Sequence, residues 1–316
     1  MSDITGIPLK DTGISPHLDS CPANKTDTEK SPIIMFWKKR FYKINKPLKS
    51  SDIEYRAIAA TDTGITRDHN EDAVRFVRPA DPNLRKEMGC LAIVADGMGG
   101  HASGEVASAL AIDTIAEKYF SSGKNPLKSL EAASKLANEN IWNLSAENQK
   151  LRGMGTTCTA AVLVGQKLYI MHIGDSRAYL YKKGELIQLS DDHTYVQELL
   201  NAGEITAAEA KNHPDGNVLT KSLGTSMKRS CDLFESEYSF EQGDRLLLCS
   251  DGLYEYFTSS QLAEYLDGPD LGEISNLLSE KVMEMGAQDN FSILLVEQKM
   301  NQLSNSVPTR AISTVK

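Results

Sequence analysis

The 316-residue sequence predicts an α+β layered domain, on three observations. Strand-like apolar runs come in groups and helical stretches come in groups, without the strict alternation that builds a doubly wound parallel sheet. Connections inside the strand groups are as short as Gly165-Gln166 and Lys183-Gly184, the length antiparallel hairpins use. Several apolar runs also stop at acidic marks: Asn70-Glu71-Asp72, Ala95-Asp96-Gly97-Met98-Gly99-Gly100, Gly174-Asp175-Ser176-Arg177, Ser250-Asp251-Gly252 and Gln288-Asp289-Asn290. A carboxylate at the exit of a buried strand is costly unless it is paired or binds a cation. Repetition of that arrangement points to one shared site of oxygen ligands for a hard metal ion.

Taken in order, residues 1–50 are rich in Pro, Ser, Thr, Asp and Lys without a sustained period, and read as a disordered arm. Its distinctive part is Ile33-Ile34-Met35-Phe36-Trp37, followed by six positive side chains and no acid over 38–49. A globular domain is expected over 51–298. Strands are predicted at about 54–60, 73–78 and 90–95, and Ala- and Glu-rich helices at about 103–120 and 128–149. A meander is predicted next, at 156–164, 167–173, 177–182 and 185–189. Residues 191–211 have helical composition, with Val196, Leu199 and Leu200 at helical spacing. Strands return at 231–238 and 244–249, a helix pair spans about 259–286, and 291–297 is the last strand. Residues 299–316 read as a flexible tail.

Composition excludes several classes. At 41% apolar and 24% charged, the chain has the make-up of an ordinary globular protein. No apolar run approaches the roughly 18 residues of a membrane span. The start, Met-Ser-Asp-Ile-Thr, lacks the pattern of a secretory signal, and the five Cys form no C-x-x-C pair, so a cytoplasmic setting is expected. The net charge of -9 argues against nucleic acid as a partner. Nine basic and five acidic residues in 1–50 make the arm locally positive, suited to docking on an acidic partner or membrane surface.

Mg²⁺ and Mn²⁺ take oxygen ligands and keep several waters, so a few carboxylates from distant segments suffice. Asp96 is the strongest candidate, because the glycines after it let the backbone fold closely around an ion. A carboxylate bridging two cations makes a hydroxide-like nucleophile at neutral pH and a clamp for in-line displacement at phosphorus. Arg67 stands close in sequence to Glu71-Asp72, and its planar fork suits a phosphate.

The ordered set resembles the metal-dependent protein phosphatase family, the protein phosphatase 2C-like Ser/Thr phosphatases, and its bacterial members most. The resemblance covers about 54–297. It is carried by Thr63-Gly-x-x-Arg67-x-x-Asn70-Glu71-Asp72, Asp96-Gly-Met-Gly-Gly100-His-x-x-Gly104-Glu105, Gly155-Thr-Thr157, Gly174-Asp-Ser-Arg177, Asp192-His193, Asn217-Val-Leu-Thr220, Ser250-Asp-Gly252 and Gln288-Asp-Asn290. It implies a four-layer α-β-β-α sandwich with two central antiparallel sheets and a site for two divalent cations, Mn²⁺ or Mg²⁺, at one end. Asp96 would bridge them and Gly97 would offer its carbonyl. Asp251 and Asp289 would complete the first position, and Glu71 or Asp72 would serve the second. Asp175, with Asp251, matches a weaker third position. Arg67 matches the phosphate-binding arginine, and Asn290 would support Asp289. Residues 191–230, with Asp192 and His193, correspond to the flap beside the site. Phosphorylated proteins, including a Ser/Thr kinase and its targets, are the implied partners. Many eukaryotic members carry His two residues after the bridging Asp; Met98 stands here, which leaves a metal-bound water or His193 as the general acid.

Other readings fit less well. Gly97-Met-Gly99-Gly-His-Ala102 has the form of a dinucleotide fingerprint, but the acid twenty residues on, Glu117, lies within a helical pattern. Ser176 in Gly174-Asp-Ser could be a hydrolase nucleophile, but it reads as a turn hydroxyl and His172 beside it as a packed strand residue. Asp251-Gly252 and Asp289-Asn290 are each common turn pairs taken singly. His69 and His101 read as surface residues or as supports behind the ligands, rather than as ligands. A catalytically weak, phosphoprotein-binding relative would be expected to lack a metal carboxylate, and all are present.

Overall fold

The structure is a computed structural model that describes residues 53–99, 103–211, 213–228 and 231–298. The expected arm (1–50), His101 and the expected tail (299–316) lie outside the described residues.

Strands β1 (Tyr55–Asp62) and β2 (Asp72–Val77) open the domain, and helix α1 (Pro82–Met88) leads into β3 (Cys90–Met98). Helices α2 (Ser103–Ser121) and α3 (Pro126–Glu147) follow. Then come β4 (Gly155–Thr156), β5 (Cys158–Val164), β6 (Lys167–Ile173), β7 (Arg177–Lys182) and β8 (Glu185–Gln188). Short helices α4 (Tyr195–Asn201) and α5 (Ala207–Ala210) precede β9 (Asp232–Glu235) and β10 (Arg245–Cys249). The last elements are α6 (Asp251–Tyr254), α7 (Ser259–Leu266), α8 (Leu271–Glu284) and β11 (Phe291–Gln298).

One sheet has the order β1-β11-β10-β7-β8 and the other β2-β3-β5-β6-β9, with β4 appended to β3. Every pairing is antiparallel. Alternation along each strand sorts its side chains between two cores. On β3, Cys90, Ala92 and Val94 share the middle core with Leu246, Leu248, Leu294 and Val296 of the other sheet. Leu91, Ile93 and Ala95 turn the other way, to Ala107, Ala111, Ile115, Ala133 and Ala137 of α2 and α3. On the opposite side Leu247, Ile293 and Leu295 pack with Leu262, Ile274 and Leu278 of α7 and α8. The result is the four-layer α-β-β-α sandwich. Strands buried on both faces need apolar residues at every position, which is why they read as unbroken runs. Truncating a side chain such as Leu248 to alanine in the middle layer costs about 2–5 kcal/mol.

Three expectations are corrected. Residues 156–189 are not one meander. They form two hairpins in different sheets, β5 with β6 and β7 with β8, and Gly174-Asp175-Ser176 carries the chain across. Gly174 takes φ 103°, and a Cβ there would sit 2.5 Å from the Thr157 Cβ, so only glycine makes this crossing. The hairpin turns are as short as expected, with Lys183 and Gly184 both at positive φ, the pattern of a type I′ turn. Helical stretch 191–211 is broken into α4 and α5 around Gly203. Helix α1 was not anticipated, although Asp81 caps it by accepting the Asn83 N–H and Pro82 fills its first turn, a legible start signal.

Candidate active site

Antiparallel order gathers the acidic marks. The ends of β1, β3, β6 and β10 and the starts of β2, β5, β7 and β11 lie at one end of the sandwich, as the register pairs Asp62 with Phe291, Asp72 with Asp96, Cys158 with Ile173, and Cys249 with both Ile293 and Arg177. A cleft of about 500 Å³ opens there. Arg67, Glu71, Asp96, Gly97, Asp175, Asp251, Asp289 and Asn290 line it on the sandwich side. Asn217, Leu219, Thr220, Ser222 and Thr225 line it from the segment expected to be the flap.

Backbone bonds fix each carboxylate. Asp96 donates its N–H to Thr157 Oγ1 at 2.9 Å, and its carbonyl accepts from the Thr157 N–H and the Thr156 hydroxyl, both at 2.8 Å. The Gly155-Thr156-Thr157 motif is thus the clamp on Asp96, a role its sequence did not announce. Gly97 sits where β3, the start of α2 and Glu71 converge: a Cβ would lie 2.0 Å from the Gly104 carbonyl oxygen and 2.7 Å from that of Glu71. Its lack of a side chain therefore serves packing as well as access to the cleft. Glu71 accepts the Gly104 N–H at 3.2 Å through Oε1. Asp251 is the first residue of α6, where the helix N-terminus favours a carboxylate.

Asn290 does more than support Asp289. Its N–H does donate to Asp289 Oδ1 at 2.7 Å. Its side-chain amide, however, holds the 63–71 loop, donating to the Thr63 and His69 carbonyls at 2.9 Å each and accepting the Glu71 N–H at 2.8 Å. Arg67 reaches back to Asp289, Nη2 to Oδ2 at 2.6 Å.

Asp72 is buried beneath the cleft, where the Ser250 hydroxyl donates to Oδ2 at 2.6 Å. Its Oδ1, like Asp251 Oδ1, is buried with no hydrogen-bond partner among the described residues. Burial and mutual repulsion push these carboxyls upward. Asp96 is raised well above the usual range, first by burial and then by Asp72, Asp251, Asp175 and Asp289. Burial raises Asp72 to about 7, and burial with Asp251 and Asp192 raises Asp175 to about 8. Burial and Asp289 raise Asp251, and burial raises Glu71. Such a group is short of positive charge.

The donor chemistry fits hard divalent cations: oxygens only, two of them orphaned, around an open cleft. No group of three or more His, Cys, Asp or Glu is drawn together closely enough to hold a metal ion by itself among the described residues. An open set suits Mg²⁺ and Mn²⁺, which retain waters and need few protein carboxylates.

Asp192 and His193 do not line the cleft. Asp192 takes a bidentate bond from Arg177, whose Nη2 is 2.6 Å from Oδ2, and that guanidinium lies 3.7 Å over the Tyr254 ring. His193 Nδ1 accepts the Gly174 N–H and Nε2 is 3.2 Å from Asp232, so neither ring nitrogen is directed at the cleft.

The family described as Protein phosphatase 2C matches residues 66–284. The chain is 36% identical over 248 residues to the serine/threonine phosphatase stp of Listeria monocytogenes serotype 4b (strain F2365), covering 77% of this chain and 95% of that protein. It is 37% identical over 244 residues to the serine/threonine protein phosphatase PstP of Mycobacterium tuberculosis, but spans only 45% of that longer protein. A crystal structure of the Mycobacterium tuberculosis phosphatase PstP/Ppp superposes with a TM-score of 0.70 at 35% identity, over 78% of this chain and all of that one. The PstP catalytic domain in complex with two manganese ions gives 0.68 at 34% identity, over 79% of this chain and all of that one. With the sandwich and the acidic cleft on its end, these likenesses establish that the chain belongs to the protein phosphatase 2C family, in its bacterial form.

Proposed function

We propose that this chain is a metal-dependent protein serine/threonine phosphatase that hydrolyses phosphoserine and phosphothreonine by direct attack of water at phosphorus. The observation that carries the reading is the cleft itself: Asp96, Asp251, Asp289 and Glu71 line it together with Arg67, and partnerless carboxylate oxygens lie at and beneath it. Two divalent cations, when bound, supply an acidified water and positive charge for the phosphoryl oxygens. Asp96 would hold both, with Gly97 offering its carbonyl, Asp251 and Asp289 completing one position and Glu71 the other. Asp72 is assigned to the layer below, where it orients Ser250. Asp175 with Asp251 is the candidate for a third, weaker position. Mn²⁺ and Mg²⁺ both suit this donor set.

Arg67 is assigned to the phosphoryl group. Its fork lies at the cleft rim on Asp289 and is half-exposed, free to turn to an incoming dianion. The departing alkoxide needs a proton. Water in the cleft is the assigned source, since no His, Lys, Tyr or Cys lines it among the described residues. The substrates are phosphoproteins, a Ser/Thr kinase and its targets among them, in the cytoplasm. No helix among the described residues is long and apolar enough to cross a membrane.

The test is hydrolysis of phosphoserine, phosphothreonine and phosphotyrosine peptides by purified protein in EDTA, Mg²⁺ or Mn²⁺. Metal-dependent release from the first two supports the reading. Binding of phosphopeptide without release under any metal would instead identify a phosphoprotein-binding relative.

A further inference from the structure

The crossing at Gly174-Asp175-Ser176 leaves one sheet and enters the other, so Gly174 has no strand beside it to pair its backbone. Buried backbone groups need partners, and one residue supplies both. The His193 main-chain N–H donates to the Gly174 carbonyl at 2.7 Å, and the His193 ring accepts the Gly174 N–H through Nδ1 at 3.2 Å. The same residue holds the wall of the cleft. Its carbonyl accepts the Thr220 N–H at 2.8 Å, and next to it Thr194 bridges Leu219 while the Tyr195 N–H donates to the Val218 carbonyl at 2.8 Å. Leu219 and Thr220 line the cleft, as does Asp175. Beyond them the chain is stitched down again, since Leu223 and Thr156 exchange both backbone bonds at 2.9 and 3.0 Å.

The ring that closes this junction is itself held. Its Nε2 faces Asp232, and it stacks on His172 with centroids 4.9 Å apart at 29°. His172 is fully buried, with Nε2 2.9 Å from the Asp191 carbonyl and Nδ1 2.9 Å from the Thr159 hydroxyl. Burial and Lys221 lower the His193 pKa, in keeping with a neutral ring whose Nδ1 lone pair is available to Gly174.

We infer that His193 is a positioning residue: it fixes the cleft wall 217–220 relative to Asp175 by binding Gly174 with its ring and Thr220 with its backbone. The inference rests on the phosphatase reading only for what the cleft is used for. In this arrangement residues 217–225 are a pinned wall, and α4 and α5 form the excursion attached to it.

The test uses the full chain and three variants. His193→Asn keeps an acceptor where Nδ1 stands but cannot reach Asp232. His193→Gln reaches Asp232 but offers Gly174 no acceptor. Asp232→Ala, at a half-exposed partner, releases only the outer end of the ring. Hydrogen exchange is read by mass spectrometry on metal-free protein, over peptides covering 217–225, and the Mn²⁺ concentration for half-maximal phosphopeptide hydrolysis is measured beside it. Loss of the ring bond to Gly174 should speed exchange over 217–225 by about fivefold in His193→Gln, with Asn close to the original protein. The Mn²⁺ midpoint should rise in Gln by about tenfold, since small displacements near a site carry large rate effects. Equal behaviour of Asn and Gln, or unchanged exchange over 217–225 in folded Gln, overturns the proposal. Should Gln not fold, Asp232→Ala decides: it keeps the ring bond to Gly174, so exchange over 217–225 close to the original protein supports the proposal and faster exchange overturns it. Exchange needs neither substrate nor metal, so an original protein inactive on every phosphopeptide would sink the phosphatase reading and leave this test standing.

Discussion

Asp72 and Asp96 stand directly opposite one another on β2 and β3, two carboxylates in register on neighbouring antiparallel strands. Like charges so placed destabilise a sheet, and here the arrangement is compounded by Asp251, Asp175 and Asp289. The end of the sandwich is built against its own stability, and positive charge in the cleft relieves it.

Replacing Asp96 by Asn should therefore separate activity from stability. Phosphatase activity is expected to fall by about a thousandfold or more, since the amide cannot hold two dications. The EDTA-treated variant should melt a few degrees higher, about 2–4 °C for each kcal/mol of repulsion removed. Calorimetry and p-nitrophenyl phosphate turnover on one preparation check both halves. Full turnover by folded Asp96→Asn protein would remove Asp96 from the centre.

Stability of the metal-free protein should decline as pH rises from about 4 to about 8. Asp72 is raised to about 7 and Asp175 to about 8 from an ordinary 3.8, so the folded state holds protons in this window that the unfolded chain has released. With more protons bound when folded, stability falls as pH increases. Excess Mn²⁺ should flatten or invert that slope, because cations replace the protons and bind more tightly as pH rises. Urea unfolding in EDTA and in Mn²⁺ across this range measures it; a metal-free protein that gains stability toward pH 8 contradicts the assignment.

Arg67→Ala should raise KM for a phosphopeptide by about tenfold and weaken inhibition by inorganic phosphate, with a smaller effect on kcat. Its bond to Asp289 joins two half-exposed groups, so the stability change should stay within about 1 kcal/mol. Unchanged KM and unchanged phosphate inhibition would leave Arg67 a structural role only.

Gly252→Ala tests how tightly the fourth acidic mark, Ser250-Asp251-Gly252, is seated. The added Cβ would lie 2.0 Å from the Asn290 carbonyl oxygen. Overpacking of this kind costs about 1–3 kcal/mol, and here it pushes between Asp251 and Asp289. A lowered melting temperature together with a higher Mn²⁺ requirement is expected. A variant with both unchanged would show that this contact relaxes freely.

Deleting residues 1–48 should leave p-nitrophenyl phosphate turnover and metal dependence nearly unchanged, because a tether alters effective concentration without touching the chemistry. Recruitment to an acidic surface should fall, and added salt should weaken it in the full chain. Co-sedimentation with anionic vesicles and a turnover assay read the two effects. A tenfold loss of turnover in folded truncated protein would make the arm part of the catalytic domain.

Much of this was written along the chain. Short apolar runs predicted strands, and Gly165-Gln166 and Lys183-Gly184 predicted tight hairpins, because run length and turn chemistry are local properties; that the strands are buried on both faces came from the packing. The five acidic marks likewise predicted a shared centre, since a carboxylate at a buried strand end needs a counter-charge. What the tertiary structure alone decided is non-local. Only the crossing of Gly174 between sheets split the apparent meander, as a three-residue link gives no local sign of which sheet receives it. Only packing showed that Asp72 lies beneath the cleft while Glu71 faces it, for Glu71 stands just before β2, where Asn290 and Gly104 hold it, and Asp72 is seated by its register with β3. His193, expected within the flap beside the site, is turned to Gly174 and Asp232. A ring's partners depend on which backbone groups the fold leaves unpaired, and no sequence spacing records that.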